Sequence, residues 1–170
     1  MPDILTVDVV VVTDGDTLTV EGSAGETVTI RLWGIDAPET SQPFGPEATA
    51  VARQEAEGER VEVEVVDRDQ YGRVIGRVHV DGTTLGRTLT RSGYAWHARR
   101  YGTSSQLKKN EQEARARGRG LWGQESPVPP WQHRGSGAPV GSAMKGAVEF
   151  IGWALATLVI LLLLIWLAAG

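Results

Sequence analysis

Along the first third of the chain, apolar positions recur every second residue, and most of them are β-branched. That period predicts strands over residues 5–13, 17–21 and 27–33, because successive side chains of a strand point to opposite faces. Asp14-Gly15 and Ser23-Ala24-Gly25 fall between them as turns. The period then changes. Gly45-Pro46-Glu47 opens a helix with proline at its start and an acid near its positive end, and Ala48, Val51, Ala52 and Glu55 share one face until Gly58 stops it. Alternation returns at Val61, Val63 and Val65, set against Glu62 and Glu64, and again over residues 74–80. Beyond Asp81-Gly82, residues 84–92 and 104–117 read as helices, the second running out at Gly118 and Gly120.

Five short strands, a helix before the fourth and a helical tail predict an α+β fold: a mainly β, five-stranded OB-fold barrel with about three helices. Curling the sheet shut hides its edges, whereas a fold class by itself says nothing about chemistry. Residues 127–134, PVPPWQHR, read as coil with Trp131 docked beside two prolines. The domain therefore spans residues 1–134. A linker of small residues, GSGAPVGSAMKG, occupies 135–146, with a coil dimension of roughly 20 Å.

Residues 150–169 break every earlier pattern. They read FIGWALATLVILLLLIWLAA, without a charge, and about 20 residues at 1.5 Å each cross roughly 30 Å of hydrocarbon. A single transmembrane helix is expected over 147–169, with Trp153 and Trp166 near the two interfaces. A small domain has no interior able to surround such a helix on all sides. The start, Met1-Pro2-Asp3-Ile4-Leu5, lacks the cationic and apolar regions of a secretory signal, so the span reads as a C-terminal anchor in a lipid bilayer. Arg134 and Lys145 precede it and no basic residue comes after it, which by the positive-inside rule favours a cytoplasmic domain.

Composition adds two points. The chain has no cysteine, which excludes disulfides and thiolate metal sites. Its net charge of −4 conceals a split: residues 1–82 hold 17 acidic and 6 basic side chains, residues 83–146 only 3 acidic and 11 basic. The second half is the better match for a polyanion.

The candidate chemistry lies in five residues spread over fewer than sixty positions: Asp16, Arg31, Asp36, Glu39 and Arg73. They amount to a hard-cation site, two guanidinium groups and a spare carboxylate. Hydrolysis of a phosphodiester needs that set, because charge on a phosphorane-like transition state must be neutralised and one water aimed at phosphorus. Asp16 and Asp36 are expected at the ends of adjacent strands, where two carboxylates converge on one ion. With the carbonyl of Ala37 and water they form an oxygen-only set of the kind Ca²⁺ accepts, and the lack of His or Cys argues against zinc. Asp14 is either an outer-shell acid or simply the residue that shapes the turn.

DGDT, the Arg31 strand, IDAPET, GPEA, QYGR, Gly93-Tyr94-Ala95-Trp96 and Gly120-Leu121-Trp122 succeed one another in an order and spacing that resemble the staphylococcal nuclease, or thermonuclease, family over Val7 to about Arg134. The resemblance implies that Asp16, Asp36 and the Ala37 carbonyl ligate calcium, with Asp14 in the outer shell. It implies that Glu39 orders or activates the attacking water, and that Arg31 and Arg73 grip the scissile phosphate. Tyr71 matches the family tyrosine that meets substrate, and Arg99 and Tyr101 are expected to bind it too, with Trp96 left for packing. Taken with the apolar run, the resemblance implies a membrane-bound, calcium-dependent nuclease acting on DNA and RNA with low sequence specificity. It further implies cleavage of the 5′ P–O bond, leaving a 3′-phosphate. No obligate protein partner is evident.

Departures from the family pattern are confined to Ser41-Gln42-Pro43-Phe44, a shorter segment than the lysine-rich loop of the best known member, Gln70 where that member is basic, and Asn110-Glu111. The first two weaken attraction to DNA rather than the chemistry. His79, His97 and His133 lack metal-ligand spacing. The rival reading is a non-catalytic OB module that binds nucleic acid or protein at a membrane. Such degenerate domains lose a metal carboxylate or a catalytic arginine, and this chain keeps all of them.

Overall fold

The computed structural model describes residues 3–99 and 102–136. Contacts divide the chain after Ser136, so the described residues belong to its first unit. The predicted anchor and most of the linker lie outside the described residues, as do Arg100 and Tyr101. Among the described residues no helix is long and apolar enough to cross a membrane.

Strands β1 (Asp3–Asp14), β2 (Thr17–Glu21) and β3 (Thr27–Leu32) form an antiparallel meander. Strand β4 (Ile35–Asp36) and helix α1 (Gly45–Ala56) come next, then β5 (Arg60–Arg68) and β6 (Val74–Val80). β5 pairs with β1 and with β6, and β6 pairs in parallel with β3, so five strands close into a barrel in the order β1-β2-β3-β6-β5. Register obeys the hydrophobic pattern, since a slip of one residue would turn each strand's apolar face to water. Val7, Val9, Leu18, Val20, Ile30, Val61, Val63, Val74 and Val78 accordingly line the core.

The chain continues through β7 (Thr83–Thr84), α2 (Leu85–Ser92), β8 (Trp96–His97), α3 (Ser105–Ala116), a 3₁₀ turn (Gly120–Gly123) and α4 (Pro130–Ser136). Thr84 and Ser104 cap α2 and α3 by accepting the N–H of Arg87 and Leu107, and Gly93 closes α2 in the left-handed conformation.

The strands and long helices fall within a few residues of their predicted positions. β4 and β8 are not legible in the sequence: two residues each carry no period, and their pairing is a tertiary event. The segment 127–134 reads as coil, but its last residues belong to the seven-residue α4. Trp131 is docked as expected, edge-on to Trp96 at 6.3 Å between ring centres. Trp96 is itself buried between Trp131 and Trp122, consistent with a packing role.

Candidate active site

A tight turn and a two-residue strand carry the acids. In Asp14-Gly15-Asp16-Thr17 the Asp14 carboxylate accepts the Asp16 N–H at 3.0 Å, the local bond that shapes such turns. Gly15 permits a close approach here: a Cβ would lie 2.7 Å from that of Ala37 and 3.0 Å from that of Ala48. The Leu32 N–H donates to the Asp16 carbonyl at 2.9 Å, tying this turn to the end of β3. Asp36 stands in β4 opposite Trp96 of β8, rather than on a strand adjacent to β2 as the sequence pattern suggests.

Arg31 joins the two acids. In register with Thr17 across β2 and β3, it is 4 % exposed, unusual for a guanidinium on a strand. Its Nη2 lies 2.8 Å from Asp36 Oδ1 and 3.0 Å from Asp16 Oδ2. Its Nη1 donates to the carbonyls of Ile35 and Leu32 at 3.1 and 3.3 Å. A single nitrogen therefore holds two buried carboxylates within 6 Å of each other, by the sum of these two distances.

Burial pushes the Asp16 carboxyl up to about 7; the neighbouring Asp14 and Asp36 add to this, while Arg31 and the Ala37 N–H, 2.6 Å from Asp16 Oδ2, pull the other way.

A second guanidinium enters from α4. Arg134 Nη2 lies 2.6 Å from Asp36 Oδ2, and its Nη1 lies 2.5 Å from Glu39 Oε1 and 3.4 Å from Asp36 Oδ1. Partial burial disfavours the Arg134 charge, but Asp36 and Glu39 outweigh that effect and hold it more firmly protonated than usual. Glu39 thus reaches the acids through Arg134. Its backbone is fixed by Gln42, whose Oε1 accepts the Glu39 N–H at 2.9 Å and whose Nε2 donates to the Val128 carbonyl at 3.1 Å. Gly45 packs directly beneath, where a Cβ would overlap the Glu39 carbonyl.

Arg73 occupies a separate turn between β5 and β6. Its Nε lies 2.7 Å from Asp69 Oδ2, and Asp69 Oδ1 accepts the N–H groups of Tyr71 and Arg73 at 3.0 Å each. Slight desolvation works against the Asp69 charge, but these bonds prevail and hold its carboxyl below the usual range. Val74 and Ile75, the next residues, pair with Ile30 and Arg31, so this turn feeds β6 into the barrel directly beside β3. Tyr71 is 76 % exposed, and the Arg73 guanidinium lies 5.8 Å from its ring centre. Arg99 lines a groove of about 540 Å³ with Trp96, Lys108, Trp122 and Trp131. Tyr101 lies outside the described residues.

Asp16, Arg31 and Asp36 are therefore in one cluster, Asp14 shapes it, and Glu39 borders it. In the sequence Arg134 reads only as a flanking charge for the anchor, and Asp69 and Gln42 only as loop polars. No local signal marks Arg134, because its partners precede it by 98 and 95 residues. Among the described residues, no three acidic or histidine side chains are arranged to hold a metal by themselves. The donor set nevertheless fits a hard cation: two buried oxygen ligands lie beside Ala37, and a basic side chain already bridges Asp36 to Glu39.

Residues 29–124 match the family described as staphylococcal nuclease homologue. A protein of Escherichia coli described as an uncharacterized endonuclease is 42 % identical over 129 residues, covering 74 % of this chain and 84 % of the relative. A second uncharacterized endonuclease, from Haemophilus influenzae, is 30 % identical over 126 residues, covering 74 % and 71 %. A probable staphylococcal-like nuclease of rice, Oryza sativa subsp. japonica, is 38 % identical over 105 residues, which cover 62 % of this chain but 32 % of that longer protein. With a family match over more than half its length and a relative of this identity, the chain belongs to the staphylococcal nuclease homologue family and is a nuclease.

Proposed function

We propose that the chain is a calcium-dependent nuclease that hydrolyses phosphodiester bonds of DNA and RNA with low sequence specificity, held at a membrane by its C-terminal segment. The observation that carries this reading is the single Arg31 nitrogen shared by the buried carboxylates of Asp16 and Asp36. Two buried carboxylates that share one guanidinium nitrogen bring hard oxygen donors together, the kind of set a divalent cation takes.

Asp16, Asp36 and the Ala37 carbonyl would hold the ion, with Asp14 behind them. When bound, a divalent cation neutralises phosphate charge and makes water a better nucleophile. The protein's own residues supply the rest. Glu39 takes the proton from the attacking water, a contribution on the order of 10² to 10⁴ in rate. Arg73, fixed by Asp69, presents donors to phosphate oxygens, and Arg31, kept in place by the Ile35 and Leu32 carbonyls, reaches them by exchanging the bonds its Nη2 makes to Asp16 and Asp36. Water attacks phosphorus in line, the bond from phosphorus to the 5′ oxygen breaks as the new one forms, and the departing 5′ oxygen takes its proton from solvent. Tyr71 and Arg99 would meet the flanking nucleotides; the Tyr71 ring is exposed, and an exposed ring stacks on any base, which suits low specificity.

The membrane reading rests on the uncharged run 150–169. The weak positive-inside signal from Arg134 and Lys145 favours a cytoplasmic domain.

Plasmid and single-stranded RNA degradation by the full chain, with Ca²⁺ or with chelator, tests the activity. Cleavage must need the cation and disappear in Asp36→Asn; cleavage that survives chelation refutes the reading. Release from membranes by high salt without detergent refutes the anchor.

A further inference from the structure

Arg134 sits where a cation is wanted, although nothing in the proposed chemistry requires it. Both oxygens of Asp36 are engaged by guanidinium groups: Oδ1 by Arg31 at 2.8 Å and by Arg134 at 3.4 Å, Oδ2 by Arg134 at 2.6 Å. The other Arg134 branch holds Glu39 Oε1. A carboxylate has about four lone-pair directions, and a fork of this kind takes the ones that face it.

The two arginines differ in how firmly they belong to the site. Arg31 is buried in the barrel wall and its side chain is held by two main-chain carbonyls. Arg134 lies on a seven-residue helix, its side chain 41 % exposed. A helix of that length has little stability of its own and stays only through its contacts. Among the contacts that hold this one and its approach are Trp131 edge-on to Trp96, Gln42 to the Val128 carbonyl, and Ser41 Oγ at 3.4 Å from His133 Nε2. Segments with modest buried apolar contact open at low free-energy cost.

We infer that Arg134 is a further active-site residue, an internal counter-cation that competes with the divalent ion for Asp36 and meanwhile holds Glu39, so that filling the site requires α4 to let go. The inference rests on the proposed cation site. Two positive groups on the same few oxygens repel, and the ion, with higher charge, displaces the arginine once its concentration suffices. Until then the arginine keeps Glu39 paired and the nuclease idle. Arg134 thereby sets the threshold. If α4 is docked for about nine-tenths of the time, apparent affinity falls about tenfold, by the fraction of protein that is competent to bind.

The test is a calorimetric Ca²⁺ titration of the full chain in mild detergent, wild type against Arg134→Gln, with Asp36→Asn as the site control. Arg134→Gln is expected to bind Ca²⁺ about tenfold more tightly or better. Removing a nearby positive charge by itself also favours a cation, so a second readout separates the two effects. Hydrogen exchange of the wild-type amides in Pro130–Ser136 is expected to accelerate on adding Ca²⁺. Equal affinities, with Asp36→Asn unable to bind, leave the cation site standing and overturn the competition. Tighter binding without faster exchange in α4 also overturns it. If neither wild type nor Arg134→Gln takes up Ca²⁺, the cation site itself fails and this inference falls with it.

Discussion

Arg31 is the register partner of Thr17, so its guanidinium comes to rest beside the preceding residue, Asp16, with Nη2 and Oδ2 3.0 Å apart. The ion pair is therefore a product of strand register, and Asp36 joins it from outside the barrel through β4. Both partners are buried, so removing one leaves charge without compensation. Arg31→Gln is expected to destabilise the cation-free protein by about 3 kcal/mol in urea unfolding. It should also lower turnover by on the order of 10³ in a plasmid assay. A variant as stable and active as wild type would remove Arg31 from the site.

The Asp16 carboxyl yields a pH prediction whose sign can be worked out. It titrates near 3.8 when free and near 7 in the folded chain, so between those values the folded state holds the extra proton. Its contribution to stability is complete below about pH 4 and is lost as pH rises through about 7, amounting to about 4 kcal/mol at most. Urea midpoints in chelator should fall between about pH 5 and about pH 8, and Asp16→Asn should flatten that fall. Adding Ca²⁺ at about pH 8 should restore stability, because cation binding favours the ionised acid. A cation-free midpoint that climbs over this range would contradict the assignment.

Glu39 borders the acids, and its carboxylate is held by Arg134. Glu39→Gln should lower the rate by on the order of 10² to 10⁴ while Ca²⁺ is still bound at least as tightly, the mark of a group acting on water rather than on the ion. Loss of cation binding in this variant would make Glu39 a ligand instead.

Asp69 acts through Arg73. Its carboxylate takes the Arg73 Nε and two backbone N–H groups of the turn, so it sets both the loop and the direction of the fork. Asp69→Ala should cost on the order of 10² in kcat/KM, the scale of a small misplacement, and less than Arg73→Ala at on the order of 10³. If Asp69→Ala is silent while Arg73→Ala is inactive, the arginine does not need that support.

Gly15 is where two backbones and a helix meet. A methyl group there would lie 2.7 Å from the Ala37 Cβ and 3.0 Å from the Ala48 Cβ. Gly15→Ala should cost about 1 to 3 kcal/mol by overpacking and shift Asp16 away from Ala37, raising the Ca²⁺ concentration needed for half-maximal activity. Unchanged unfolding and unchanged calcium response would show that the loop has room to spare.

The sequence by itself determined the barrel. Strand and helix periods are local and repeated, so the alternation through Val61, Val63 and Val65 and the proline-led helix after Gly45 announce themselves in a few residues. The motifs around Asp16, Asp36 and Arg73 were legible for the same reason, each being a short segment with its own composition. Tertiary structure alone decided how those turns meet: that Arg31 faces inward, that Asp36 pairs with β8, and that Arg134 closes on Asp36 and Glu39. Ion pairs between residues nearly a hundred positions apart leave no period in the chain, because what brings them together is the closure of the barrel and the packing of Trp131 on Trp96.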